Sequence, residues 1–89
     1  MNDVKQALRT KIIELARGLG KDARQIKDDD LIPATGLLDS AGLMELVMWF
    51  EMENELSIEQ DEITIENFGT IDAMANYLER RSGNAGVGA

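Results

Sequence analysis

The chain of 89 residues has no cysteine, no histidine and a single proline, and each scarcity removes a class of chemistry. Without cysteine there is no disulfide framework and no thiolate nucleophile. Without cysteine or histidine the usual zinc sites cannot be assembled, and no Ser-His-Asp triad can form, so any serine lacks its customary base. The lone proline, Pro33, leaves most of the chain free to be helical. No apolar run approaches the ~20 residues of a membrane span, and the N-terminus has no signal-peptide pattern. A cytoplasmic protein that does not insert into membrane is the expectation.

What is present is acid. Seventeen Asp and Glu stand against nine Lys and Arg, giving a formal charge of -8. Nucleic acid and anionic membrane, whose binding needs clustered cations, are disfavoured. Partners with basic patches would be attracted and steered, although acidity also serves simply to keep a small domain soluble. With 44% hydrophobic and 29% charged residues, the composition is that of one globular domain with a modest core.

The stretch VKQALRTKIIELARGLG sets Val4, Ala7, Leu8, Ile12 and Leu15 at helical spacing, with Lys5, Lys11, Glu14 and Arg17 between them. Gly18 and Gly20 end that helix. Residues 21–39 show no sustained period and contain Pro33 and Gly36. They read as a long connection, fastened to the core by Ile26, Leu31, Ile32, Leu37 and Leu38. Its Asp28-Asp29-Asp30 run lacks the alternating ligands, central Gly and closing Glu of a calcium loop, and is expected to be solvated.

SAGLMELVMWFEMENEL, from Ser40, predicts a second helix with Leu43, Leu46, Val47, Phe50 and Asn54 on one face. Met44, Glu45, Met48, Glu51, Met52 and Glu55 fall on the other. In the connector after it, Ile58 and Ile63 are core contacts. Thr64 caps a turn or two over TIENF, which Gly69 breaks, and Thr70 caps a last helix, IDAMANYLERR. Ile71, Met74, Ala75 and Leu78 face inward there, Tyr77 in part, and Arg80 and Arg81 meet the C-terminal dipole. The Gly-rich residues 82–89 read as a flexible tail. The sum is a small all-α four-helix bundle over residues 1–81, three main helices and a short one, with a long first loop.

Ser40 has two readings. It can be an N-cap satisfying a free backbone N–H. It can also be a hydroxyl delivered to the surface for modification: Asp39 is itself a good cap, Ala41 and Gly42 leave the hydroxyl open, and a helix N-terminus favours a phosphodiester. With no His, no Cys, no metal cluster and no Gly-rich phosphate loop, an enzyme is not expected.

GLLDSAGLMELVMWFE followed by ITIENFGTIDAMANYL resembles the acyl carrier and peptidyl carrier protein family across roughly residues 4–80. GLLDS is similar to stand-alone D-alanyl and peptidyl carriers as much as to the fatty-acid type. The resemblance implies that Ser40, with Asp39 as its motif partner, is the attachment site of 4'-phosphopantetheine drawn from coenzyme A. It implies an arm ending in a thiol, which answers the missing cysteine. It also implies that a phosphopantetheinyl transferase and acyl or aminoacyl ligases or synthases are the partners of a monomeric carrier. Those partners would read Ala41, Met44, Glu45, Met48, Glu51 and Met52. The chain departs from the family pattern at Ala41, where Leu is common, at Gly42, at Asn54 in place of an aromatic, and at Glu59 in place of Pro. Ala41 removes an apolar side chain that partners often bury, which points to a specialised partner set.

Met44, Met48 and Met52 recur every four residues. Because Leu43, Leu46, Val47 and Phe50 already complete an inward face, the methionines are expected outside, as a flexible docking surface rimmed by Glu. A helical interaction module with Ser40 as N-cap is the alternative to a carrier.

Overall fold

The computed structural model describes the backbone of residues 2–88 and the side chains of residues 4–81. α1 (Asn2–Gly18) buries Leu8, Ile12 and Ala16 along one stripe, with Val4 and Leu15 half-buried beside them. Ala7, expected on that stripe, is exposed, and Ala16 takes the inner position one turn past Ile12. The helix closes on Gly20 at φ 78°. The Lys21 N–H reaches the Ala16 carbonyl at 2.9 Å, the six-to-one bond of a left-handed C-terminal cap.

The long connection is anchored rather than loose, and it contains a turn of helix that the lack of periodicity hid. α2 (Ile32–Thr35) carries Pro33 in its first turn, where a missing N–H costs nothing and the fixed φ suits the helix. Proline therefore starts structure here instead of breaking it. Ala23, Ile26, Ile32 and Leu38 are buried, whereas Leu31, expected as a pin, remains largely exposed. Backbone bonds stitch the connection to the C-terminal part of the chain: Ile32 N–H to the Gly69 carbonyl at 2.7 Å, and Asp72 N–H to the Asp28 carbonyl at 3.0 Å. Arg9 of α1 holds the same segment, donating to the Ile26 carbonyl and to the Asp28 carboxylate. Asp30 accepts the Lys27 N–H at 2.8 Å. Two of the three consecutive aspartates are thus occupied by the chain itself. Among the described residues no His, Cys, Asp or Glu cluster is arranged to hold a metal.

α3 (Ser40–Asn54) buries Gly42, Leu46, Val47 and Phe50, with Leu43 half-buried. Asn54 is half-buried and satisfies its amide by donating to the Phe50 carbonyl at 3.0 Å, which meets the cost of placing a polar group there. A 3-10 turn over Gln60–Glu62 comes next, then α4 (Ile65–Phe68) and α5 (Ile71–Gly88). Thr64 accepts the Asn67 N–H and Thr70 the Ala73 N–H, the expected caps. Among the described residues there is no strand. The flexible tail expected over 82–89 falls on residues whose side chains lie outside the described ones.

α1 packs against both α3 and α5, and α4 against α5. Three rings join the last elements: Phe50 meets Phe68 edge-on at 6.0 Å, and Phe68 lies 4.9 Å from Tyr77, arrangements that aromatic quadrupoles favour. Tyr77 is buried rather than partly so, and burial first, then its hydrogen bond to Glu62, raises its phenol above the usual range. Arg80 and Arg81 are not a C-terminal dipole pair, because α5 continues past them. Arg80 donates to the Asn67 side chain at 3.0 Å, and Arg81 to Tyr77, Glu62 and the Ser57 carbonyl. Both tie α5 to the segment before it.

Candidate functional site

The TGLLDS segment is a series of local closures. Thr35 donates to the Ile32 carbonyl at 2.7 Å and accepts the Leu37 N–H at 3.1 Å. Gly36 sits at φ 73°, a conformation that glycine adopts without penalty, and ends α2. Leu38 then turns into the core, and Asp39 is left to open α3.

Asp39 is the N-cap. Its Oδ1 accepts the Gly42 N–H at 2.7 Å from extended backbone, so the cap position considered for Ser40 belongs to the residue before it. Ser40 is the first residue of α3 and is exposed; among the described residues its hydroxyl has no hydrogen-bond partner. Ala41 is exposed as well. Gly42 is buried, and a Cβ there would come 3.2 Å from Asp39 Oδ1 and 3.4 Å from Leu38 Cβ. It packs closely against the cap, and an added Cβ would press on Asp39 and Leu38.

Two hollows flank this helix start. One, of about 270 Å³, lies between α3, α2 and α4, and its walls include Pro33, Leu43, Met44, Ile65 and Phe68 with Ser40 at one edge. No charged side chain lines it. The other, of about 280 Å³, lies toward the end of α1, with Glu14, Leu19, Asp39, Ala41 and Glu45 around it. The residues expected on a single partner face therefore divide, Met44 toward α4 and Ala41 with Glu45 toward α1. The methionine stripe is outside, as expected once the inward face of α3 is filled by other residues: Met44, Met48 and Met52 are all exposed. Glu51 is different. It is half-buried, and its Oε2 accepts the Ile58 N–H at 2.8 Å, because the connector after α3 folds back across it. It is a brace for that connector and not a free acidic rim.

The residues that the motif by itself did not bring to the site are Pro33, Ile65 and Phe68, the far wall of the apolar hollow. Their helices are four residues each, too short to show a period. Ile65 is left 60% exposed at the lip of this hollow.

No family model matches the chain, and no characterised protein or solved structure is similar enough to count as a match. Among the described residues no helix is long and apolar enough to cross a membrane.

Proposed function

We propose that the protein is a stand-alone acyl or aminoacyl carrier whose Ser40 accepts 4'-phosphopantetheine. The observation that carries this reading is the unengaged Ser40 hydroxyl. It is exposed at the first position of a fifteen-residue helix, while the neighbouring Asp39 performs the capping that would otherwise occupy it. A hydroxyl with no adjacent base fits a substrate of another enzyme, which would supply the general base. The residues present fit the group in a second respect: the small Ala41 follows Ser40, and Ser40 itself borders the apolar hollow.

When attached, the cofactor would supply a flexible arm ending in a thiol that holds the cargo. The chain's own residues would do the rest. Asp39 fixes the start of α3 and so the direction in which Ser40 presents its oxygen. Met44, Met48 and Met52 offer adaptable apolar contact, and Glu45 with the net charge of -8 draws in enzymes with basic docking surfaces. Association would be fast and salt-sensitive, which suits a carrier that must leave each partner.

The competing reading, a helical interaction module, is favoured by the same exposed methionines, but Asp39 rather than Ser40 caps its helix. Incubation with coenzyme A and a broad-specificity phosphopantetheinyl transferase, followed by intact mass, separates the two. The wild type is expected to gain one phosphopantetheine and Ser40→Ala none. An unchanged wild-type mass would remove the carrier reading.

A further inference from the structure

We propose that Met44, Met48 and Met52 form a reversible oxidation site on α3, at which hydroperoxides convert an apolar docking stripe into a polar one without unfolding the protein. The chain has no cysteine and five methionines, so thioether sulfur is all the sulfur its own residues offer to an oxidant. Among the described residues that sulfur is divided sharply by the fold. Met74 is 0% exposed in the core, whereas Met44, Met48 and Met52 are 46%, 55% and 80% exposed. Their four-residue spacing sets all three along one side of a helix whose opposite side supplies the buried Leu46 and Phe50.

The chemistry needs only a hydroperoxide. A lone pair of the thioether sulfur attacks the distal oxygen, the O–O bond breaks and an S–O bond forms. The departing oxygen keeps its electrons and takes the proton, leaving as water or an alcohol. Sulfur loses two electrons and the peroxide gains two. Methionine sulfoxide reductases, with a thiol reductant, reverse the step. Susceptibility follows exposure, which orders the residues Met52, Met48, Met44, with Met74 last. Oxidation elsewhere in proteins often damages because it puts a polar sulfoxide into a core. Here the three sulfurs lie outside the core, so the change is confined to the surface. Met44 also walls the hollow beside Ser40, so its sulfoxide makes that wall polar. The effect on docking rests on the carrier reading; the site and its order of reaction do not.

The test uses the full chain, with Ser40→Ala in parallel so that no arm thiol competes for oxidant. Samples are treated with hydrogen peroxide and followed by peptide mapping, by circular dichroism melting and, for wild type, by the rate of phosphopantetheine transfer. Met52, Met48 and Met44 are expected to oxidise in that order, each more than about tenfold faster than Met74, with the helical signal kept. Transfer is expected to slow several-fold and to recover after treatment with the reductases. In the triple variant Met44→Leu, Met48→Leu, Met52→Leu, the rate of transfer, whatever its starting value, should be the same before and after peroxide. Oxidation of Met74 at the rate of Met52, or loss of helix in step with surface oxidation, would overturn the proposal. Normal transfer by the fully oxidised stripe would overturn its effect on docking. If untreated wild type is not modified at all, the carrier reading falls, while the mapping and melting still decide the oxidation site.

Discussion

Asp39 Oδ1 and the Gly42 N–H meet at 2.7 Å, and the bond assigns separate tasks to two adjacent polar residues. The aspartate caps the start of the helix; the serine is left facing solvent. A capping side chain contributes about 1 kcal/mol, so Asp39→Ala is expected to lower the unfolding free energy by roughly that amount in urea titrations. Asp39→Asn should retain most of it. Ser40→Ala, which breaks no bond within the protein, should change stability by less than ~0.5 kcal/mol. Equal losses from Asp39→Ala and Ser40→Ala would mean that the cap is shared.

Gly69 is held by contact rather than by conformation. A Cβ at this position would come 2.5 Å from the Ile65 carbonyl oxygen and 2.9 Å from Ile65 Cγ2, and the Gly69 carbonyl is the acceptor for Ile32. Gly69→Ala is expected to destabilise by about 1–3 kcal/mol through overpacking. Gly18→Ala, where a Cβ meets nothing within 4 Å, should not destabilise. Thermal melts of the two variants side by side make the comparison.

Glu55 ends α3 in the left-handed region, at φ 52° and ψ 47°. Leu56 donates from behind it to the Glu51 carbonyl at 2.9 Å. A non-glycine residue loses about 1–2 kcal/mol in that conformation, and glycine returns about 0.4–1 kcal/mol of it through unfolded-state entropy. Glu55→Gly should therefore stabilise the fold by about 0.5–1 kcal/mol, seen as a higher urea midpoint at unchanged slope. A lower midpoint would contradict it.

Asp22 is the acid-sensitive group of the loop. Hydrogen bonds from the Arg24 side chain, then from its backbone N–H, bring the carboxyl from its ordinary 3.8 to about 2. Because the folded value is the lower one, the pair stabilises the fold above the ordinary value and ceases to do so as pH falls through about 2. Both side chains are exposed, so the effect is small. Asp22→Asn should melt slightly below wild type at neutral pH, with the gap closing as the pH drops toward the folded value. A gap that widens in acid would reverse the assignment.

Elements differ in legibility because their signals are encoded differently. The long helices announce themselves through repetition: Leu8 with Ile12, Leu46 with Phe50, and Ile71 with Met74 are spaced by the helix itself. Thr64 and Thr70 are readable as caps because capping is a bond to an amide only a few residues along the chain. The exposure of Met44, Met48 and Met52 comes by exclusion, once the inward face of α3 is full. α2 and the 3-10 turn are not readable, being too short to repeat anything. Neither is the brace role of Glu51, whose partner lies seven residues on around a turn.

The sequence by itself determined the all-helical class, the three long helices, the acidic surface and the position of Ser40 at a helix start, since all of these depend on composition or on neighbours within one or two turns. Only the tertiary structure decided that the connection before α3 is stitched to Gly69 and Asp72, and that Arg80 and Arg81 brace α5 against the preceding segment. It also decided that an uncharged hollow opens between Ser40 and the far wall made by Pro33 and Phe68. Those features arise where segments distant along the chain come within contact, and local spacing carries no information about a neighbour it does not include.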